Sequence, residues 1–308
     1  MIIGSGSHQY DVIDLWGKLP EGKKFGTTHG VVEDAAGRIY IHHTGAESTY
    51  IFEPDGTFIS AWGAAYTGNA HGMFLNKEAD GEFLYLAPTG MGILAKCTLD
   101  GEEIMRLGTP PRPDIYTTDK RYVPTESTVA SNGDIYVTDG YGQHWVHRYT
   151  KDGEYVSSFG NPGGTGDGEL RNPHGIMIDT RSGSELILVA DRANNRLQYF
   201  TLEGEYVKQV HHDLRLPCTT VQWRDEIYVP DLQSRLSVFD KDDKLILHLG
   251  DRPDCWTKEG WPNIPREDWV VGAFSSPHDM HVDAAGNIYV AEWLSNGTGK
   301  CTKLVRKS

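Results

Sequence analysis

Residues 133–137 read Gly-Asp-Ile-Tyr-Val, and five closely similar runs recur along the 308-residue chain. Each run is rich in β-branched and aromatic residues and follows turn residues, which is typical of a short β-strand. The six copies lie at 37–41, 81–86, 133–137, 185–189, 225–229 and 286–290. Ordered repeats of one β-rich unit indicate a β-propeller, and they disfavour a β-sandwich with accidental internal similarity.

A second kind of strand completes each repeat and fixes the number of blades. Five copies lie at 57–63, 103–108, 154–160, 205–210 and 244–250, and the sixth lies near the N-terminus, at 9–17. A ring of blades leaves two sheet edges where its termini meet, and exposed edges invite aggregation. We therefore predict an all-β fold, a six-bladed β-propeller of four-stranded antiparallel blades. In this fold residues 1–17 form a closing strand that pairs with 300–305 of the last blade, and residues 1–308 form a single domain.

The chain is acidic, with 29 Lys and Arg against 43 Asp and Glu and a net charge of −14. Such a surface repels phosphate backbones and anionic lipids. We therefore expect a small-molecule substrate and divalent cations as ligands, and neither nucleic-acid nor membrane partners. The four cysteines form no CxxC pair, and residues 1–8 contain neither the basic nor the apolar region of a signal peptide. These features lead us to expect a reducing, cytoplasmic location.

Histidines recur at one position just before the first strand of a blade, which we call the lead-in position. Four of the six lead-in positions carry His, although the chain has only 13 His. The other two positions are assigned to Glu126 and Cys218. The first strands of a propeller line its channel, so these imidazoles should converge. Neutral imidazoles suit Zn²⁺, and three protein ligands beside an open position are typical of a catalytic site. We predict that His71, His174 and His278 hold Zn²⁺ or another divalent transition metal, whereas His29 fits a further ligand or a hydrogen bond to a carbonyl equally well.

Residues that follow the second strands should lie at the same end of the blades. Tyr141, in the sequence Asp139-Gly140-Tyr141, could act as a base if a cation lowers its pKa from about 10. Arg192, directly after Asp191, could bind a carboxylate or an oxyanion. Aspartates at such strand ends also commonly tie turns. Asp279 follows His278 and is either a ligand of a second, harder cation or a solvated surface carboxylate.

A long insertion at 251–275 precedes the last blade and carries three of the eight Trp of the chain: Trp256, Trp261 and Trp269. Long loops with large aromatic side chains often act as lids or binding walls. Because this loop leads directly to His278, we predict that it lies over the metal face. The alternative is a loop that packs on itself.

The stretches at 172–179, 189–198 and 283–290 resemble NHL repeats, and the chain as a whole resembles peptidyl-α-hydroxyglycine α-amidating lyase. The resemblance implies a catalytic zinc on the three histidines named above, with Tyr141 and Arg192 in the active site. It also implies a structural Ca²⁺ held by Asp279 and by the backbone carbonyls of Val31 and Met73. The chain departs from the family where His42-His43-Thr44 replaces a second arginine, where Gly142 replaces a disulfide cysteine, and at the extra His29. His43 is therefore a further candidate site residue.

Together these features predict a metal-dependent lyase that cleaves a C–N or C–O bond at an α-hydroxylated, hemiaminal-like carbon of a small molecule. The missing arginine predicts a substrate other than peptidyl-hydroxyglycine. One alternative is a metal-dependent hydrolase of lactones or esters on the same propeller. A second is a non-enzymatic NHL-type scaffold that binds a partner.

Overall fold

The computed structural model describes residues 1–160, 162–294 and 299–307. The chain divides into two compact units, one formed by residues 1–68 and 213–308 and the other by residues 69–212. Each unit contains three antiparallel sheets. The six sheets confirm the predicted blades. Among the described residues, no helix is long and apolar enough to cross a membrane.

In the first unit the strands are β1 Ile2–Ser5, β2 His8–Ile13, β3 Thr28–Glu33, β4 Ile39–His43, β5 Thr49–Phe52, β6 Phe58–Trp62, β19 Val221–Trp223, β20 Glu226–Asp231, β21 Arg235–Phe239, β22 Leu245–Leu249, β23 Pro277–Val282, β24 Ile288–Glu292 and β25 Lys300–Arg306. In the second unit they are β7 Gly72–Glu78, β8 Gly81–Ala87, β9 Leu94–Thr98, β10 Glu103–Leu107, β11 Glu126–Val129, β12 Ile135–Thr138, β13 Val146–Tyr149, β14 Tyr155–Phe159, β15 Pro173–Asp179, β16 Leu186–Asp191, β17 Arg196–Phe200 and β18 Tyr206–Val210. Short 3₁₀ turns lie at Ala64–Tyr66, Thr89–Met91, Arg192–Asn194 and Arg266–Asp268.

The N-terminal strands belong to the last blade, as predicted. β2 pairs antiparallel with β25, with Tyr10 opposite Arg306 and Ile13 opposite Lys303. The prediction is incomplete in one respect, because β1 pairs with β2 and gives this sheet five strands in the order β1-β2-β25-β24-β23. The other described sheets have four strands each.

The repeated Ile-Tyr-Val type of sequence places a tyrosine in the core of several blades. Tyr40, Tyr136 and Tyr228 are fully buried. Each hydroxyl reaches an acceptor, namely Asp34 Oδ2 at 3.1 Å, Leu202 O at 2.9 Å and Glu226 Oε2 at 2.7 Å. A buried tyrosine supplies a large apolar surface at low cost when its hydroxyl is hydrogen-bonded. The repeat is therefore a packing motif that these blades share.

Candidate active site

Two histidines of the second unit converge on one tyrosine hydroxyl. His71 Nε2 and His174 Nε2 each lie 3.1 Å from Tyr141 Oη, and the two imidazole ring centres are 4.8 Å apart. Both histidines are buried, whereas Tyr141 is 40% exposed. The structure thus brings together two of the predicted metal ligands and the predicted base, beside an opening to solvent.

A backbone carbonyl fixes the tautomer of His71. Its Nδ1 lies 2.8 Å from Thr125 O, which can only accept a hydrogen bond. Nδ1 therefore carries the proton, and in the neutral ring Nε2 keeps its lone pair and faces Tyr141. A histidine that donates one ring N–H to a carbonyl and presents its other nitrogen is the usual arrangement of a metal ligand.

The same arrangement occurs in the first unit, between His278 and His29. His278 Nδ1 lies 3.0 Å from His29 O, and the two rings pack edge to face with their centres 4.8 Å apart. Both residues are buried. His29 thus supplies a backbone acceptor that orients His278, in addition to the ring that the sequence singled out.

Strand pairing corrects one lead-in position. Ser127 pairs with Val137 as Val31 pairs with Ile41, and both partners end the Ile-Tyr-Val type of repeat. Counting back from these pairs, Thr125 and not Glu126 occupies the position that His29 holds in its own blade. The sequence held a signal for this assignment in its spacing, because 12 positions separate Thr125 from Val137, as they separate His29 from Ile41.

Arg192 lies against Tyr141 and is held there by an asparagine. Arg192 Nη2 lies 3.2 Å from Tyr141 Oη, and its guanidinium carbon is 5.2 Å from the centre of the phenol ring. Arg192 Nε donates to Asn172 Oδ1 at 2.9 Å, and Asn172 Nδ2 donates to Gly140 O at 2.9 Å. Asn172 therefore connects the arginine to the turn that carries the tyrosine. Sequence reasoning missed this role, although Asn172 opens the NHL-like stretch and has a left-handed φ of 58°.

Asp139 holds the turn that carries Tyr141. Its carboxylate accepts hydrogen bonds from the backbone N–H groups of Val123 at 2.7 Å and Gln143 at 2.6 Å. Burial raises the pKa of Asp139 to about 6, although these hydrogen bonds act in the opposite direction. A Cβ atom at Gly142 would lie 1.9 Å from Asp139 Oδ1, so the cysteine of the resembling family does not fit beside this carboxylate.

A buried hydrogen-bond chain continues from Asp139 into the blade. Tyr116 Oη lies 2.8 Å from Asp139 Oδ2 and 2.6 Å from His147 Nε2, and His147 Nδ1 lies 2.7 Å from Ser158 Oγ. The single hydroxyl proton of Tyr116 goes to the carboxylate, so His147 Nε2 must donate to Tyr116. Burial lowers the pKa of His147 to about 3, which keeps the ring neutral in this role. No sequence motif marked Tyr116 or His147.

Asp279 is buried, so the alternative of a solvated surface carboxylate is wrong. Its Oδ2 accepts a hydrogen bond from the backbone N–H of Val31 at 2.8 Å. Burial raises the pKa of Asp279 to about 7. Two of the three predicted calcium ligands are thus neighbours in the first unit, while Met73 is a buried residue of the second.

His43 is a packed core residue and does not replace the missing arginine. It is fully buried, and its Nδ1 accepts hydrogen bonds from the backbone N–H groups of Gly26 at 3.1 Å and Gly45 at 2.9 Å. Burial lowers its pKa to about 3, and its ring packs 4.2 Å from that of Tyr50. A neutral, enclosed imidazole offers no positive charge to a substrate.

Hydrogen bonds join distant parts of the 251–275 loop, since Trp261 Nε1 donates to Ser275 O at 2.9 Å and Arg252 Nη1 donates to Asp268 O at 2.8 Å. Cys255 and Ile264 are buried, and the position of the loop over the metal face stays a prediction. The indole nitrogen of Trp256 is enclosed as well. Trp269 is only partly buried and lines a cleft of the first unit. The four cysteines of the chain are buried, and none of them forms a disulfide.

Comparison with known proteins relates the chain to propellers of several activities. A family model described as a 6-bladed beta-propeller matches residues 116–246. The chain is 29% identical over 204 residues to human NHL repeat-containing protein 3, and the match covers 62% of this chain and 57% of that protein. It is 27% identical over 251 residues to peptidyl-alpha-hydroxyglycine alpha-amidating lyase 1 of Drosophila melanogaster, covering 75% of this chain and 44% of the lyase. The chain therefore spans about half the length of these curated relatives.

Solved structures share the architecture along nearly the whole chain. Virginiamycin B lyase from Staphylococcus aureus superposes with a TM-score of 0.62 at 13% identity and covers 96% of this chain and 99% of its own. A gluconolactonase from Xanthomonas campestris gives a TM-score of 0.66 at 15% identity, with coverage of 97% and 90%. The chain is a six-bladed β-propeller. The predicted resemblance to NHL-repeat proteins and to an amidating lyase is confirmed at modest identity, and proteins of this fold include lyases and a gluconolactonase.

Proposed function

We propose that this protein is a metal-dependent lyase that cleaves a C–N or C–O bond at an α-hydroxylated carbon of a small molecule. The observation that carries the proposal is the convergence of His71 Nε2 and His174 Nε2 on the hydroxyl of Tyr141, which also contacts Arg192. Two buried imidazoles, a phenol and a guanidinium on one hydroxyl provide metal ligands, a proton-transfer group and an anion-binding group together.

We propose His71, His174 and His278 as the ligands of one divalent transition metal, with Zn²⁺ as the first candidate. The donor set fits such an ion, because His71 and His278 each donate Nδ1–H to a backbone carbonyl and keep Nε2 as the available donor. When bound, the ion supplies Lewis acidity that polarises a substrate oxygen. Asp279, with the carbonyls of Val31 and Met73, is proposed to hold a separate structural Ca²⁺.

The proposed chemistry uses Tyr141 to move a proton and Arg192 to orient the substrate. In its phenolate form, Tyr141 accepts the proton of the substrate hydroxyl, the electron pair of the broken O–H bond forms the carbonyl, and the C–N bond breaks. The departing nitrogen then takes up that proton, which yields an amide or amine and a carbonyl product. Arg192 binds an acidic group of the substrate, since its guanidinium is fixed by Asn172 and faces Tyr141.

His43 supports a substrate other than peptidyl-hydroxyglycine. The resembling family has an arginine at the end of this strand, and here a neutral, buried imidazole occupies the position. One cation, that of Arg192, is therefore proposed to bind the substrate where the family uses two. Small hydroxyglycine derivatives and hydroxy acids are the compounds to screen first.

Metal analysis together with one substitution tests the proposal. Purified protein should contain about one transition-metal ion per chain, and His174→Ala should lose both the metal and the turnover of N-acyl-α-hydroxyglycines. His211→Ala, a change at an exposed histidine, is the matched control and should lose neither. Full activity of His174→Ala with intact metal content would contradict the assignment. If the protein contains only calcium and hydrolyses lactones, the result would favour the metal-dependent hydrolase. If it contains no metal and turns over no substrate, the result would favour the non-enzymatic scaffold.

A further inference from the structure

A cleft of about 350 Å³ opens in the first unit, between the segment that follows β2 and the start of β25. Aromatic side chains of Trp16, Phe25 and Trp269 form part of its wall. Its volume lies in the range of small-molecule sites, which are mostly apolar with a few placed polar groups. Nothing in the proposed chemistry uses this cleft.

Backbone hydrogen bonds join the segments that line the cleft. Trp16 N donates to Cys301 O at 2.8 Å, which joins the segment after β2 to β25. Gly299 N donates to Gly26 O at 2.9 Å, which joins the opposite side of the cleft to the segment before β3. Because these hydrogen bonds order the lining backbone, a molecule that enters the cleft has little ordering cost to offset.

All the charged residues described in the lining of the cleft are cationic. Lys23, Lys24, Arg266 and Lys300 line it, and none of the described lining residues is acidic, although the chain carries a net charge of −14. Two of these cations are neutralised by neighbours outside the lining. Lys23 pairs with Glu47, and Lys300 Nζ lies 2.7 Å from Asp14 Oδ1 and 3.2 Å from Glu292 Oε1.

Lys24 and Arg266 differ from these two cations. Within the described part of the chain, neither forms an ion pair with a carboxylate within 4.0 Å. The guanidinium carbon of Arg266 instead lies 5.7 Å from the ring centre of Trp269. An arginine stacked on an indole keeps its planar array of donors available for a carboxylate, which it binds through two parallel hydrogen bonds.

We propose that this cleft binds a small amphipathic anion, a flat apolar body that carries one carboxylate. The apolar body lies against Trp16, Phe25 and Trp269, and the carboxylate is bound by Arg266 with support from Lys24. The proposal does not depend on the lyase activity, because it uses none of the histidines and neither Tyr141 nor Arg192.

Calorimetric titration with three compounds of one shape and different charge tests the proposal. The probes are 4-phenylbutyrate, the neutral 4-phenylbutanamide and the cationic 4-phenylbutylamine. We expect the carboxylate to bind at least about tenfold more tightly than the amide, and the amine to bind more weakly still. No saturable binding of 4-phenylbutyrate up to about 10 mM, or equal binding of all three compounds, overturns the proposal.

Charge reversal locates the site. Arg266→Glu should weaken 4-phenylbutyrate binding at least about tenfold and leave the amide within about twofold. Arg224→Glu is the matched control, because Arg224 also stacks on a tryptophan, with its guanidinium carbon 4.2 Å from the ring centre of Trp223, but lies outside the cleft lining. Equal losses in both variants overturn the assignment to this cleft. If circular dichroism shows that Arg266→Glu is misfolded, Lys24→Glu serves in its place with the same expectation.

Discussion

Replacement of Tyr116 by Phe tests whether the buried chain below Asp139 supports the turn of Tyr141. The substitution removes one oxygen and leaves the ring in place. It deprives Asp139 Oδ2 of a donor at 2.8 Å and His147 Nε2 of an acceptor at 2.6 Å. Both partners are fully buried, so water does not replace the lost hydroxyl.

The expected loss in the free energy of unfolding is about 3 kcal/mol. A hydrogen bond to a charged group contributes about 1.5–3 kcal/mol, and a buried N–H left without an acceptor costs about 1–3 kcal/mol. Tyr122→Phe is the matched control. The Tyr122 hydroxyl is buried and has no hydrogen-bond partner among the described residues, and its ring centre lies 5.8 Å from that of Tyr116. Its removal should change stability by less than about 0.5 kcal/mol or increase it.

The loss should also depend on pH. The pKa of Asp139 is raised by burial from 3.8 to about 6, so its ionisation costs the folded state stability as the pH rises through 6. The Tyr116 hydroxyl lowers this pKa, and without it the pKa rises further. The difference in the free energy of unfolding between the wild type and Tyr116→Phe should therefore be largest near pH 8. It should be smaller near pH 5, where the Asp139 carboxyl is largely protonated in both proteins.

Urea unfolding followed by tryptophan fluorescence at pH 5 and pH 8 measures these quantities. Circular dichroism before unfolding controls for correct folding of both variants. Equal midpoints for Tyr116→Phe and Tyr122→Phe would refute the proposed hydrogen-bond chain. A Tyr116→Phe loss that is the same at both pH values would refute the part of the argument that involves Asp139.

Three further predictions concern the site itself. Asn172→Gly keeps the left-handed backbone but removes the link between Arg192 and Gly140. It should raise KM for acidic substrates about tenfold in steady-state kinetics and leave the metal content unchanged in elemental analysis. His29→Ala should keep the metal, because its carbonyl still orients His278, whereas His278→Ala should lose it; metal loss in both would make the His29 ring a ligand. Removal of the metal with a chelator should lower the unfolding temperature by roughly 5 °C, and re-addition should restore it.

The repeated strands could be predicted from the sequence because each blade carries its own run of β-branched and aromatic residues after turn residues. β2 could be placed in the last blade because a propeller needs a partner for its final edge. β1 could not, since Ile2–Ser5 is short and lacks the pattern of the repeats. Its position depends on the hairpin with β2, which a search for repeats does not detect.

The candidate site was predictable where chemistry and position coincide in one motif, as at His71, His174 and Tyr141. The sequence could not show which residues hold these groups, because the supports come from distant parts of the chain. Asn172 reaches Gly140 across 32 positions, and Tyr116 reaches His147 across 31. Neither separation follows a period or a spacing rule. His43 shows the converse, because a polar residue that looked functional is enclosed by Phe25 and Tyr50.

The orientation of His71 and His278 depends on main-chain carbonyls of the adjoining blade and not on side chains. Thr125 and His29 occupy the same lead-in position, and each supplies its carbonyl to the histidine beside it. Strand pairing sets the place of such a carbonyl, so the residue that carries it can change without moving the acceptor. A lead-in position can therefore carry Thr in one blade and His in another while the neighbouring imidazole keeps the same tautomer. This division of roles explains how repeats that share one backbone can hold different side chains at equivalent positions and still present Nε2 atoms as donors.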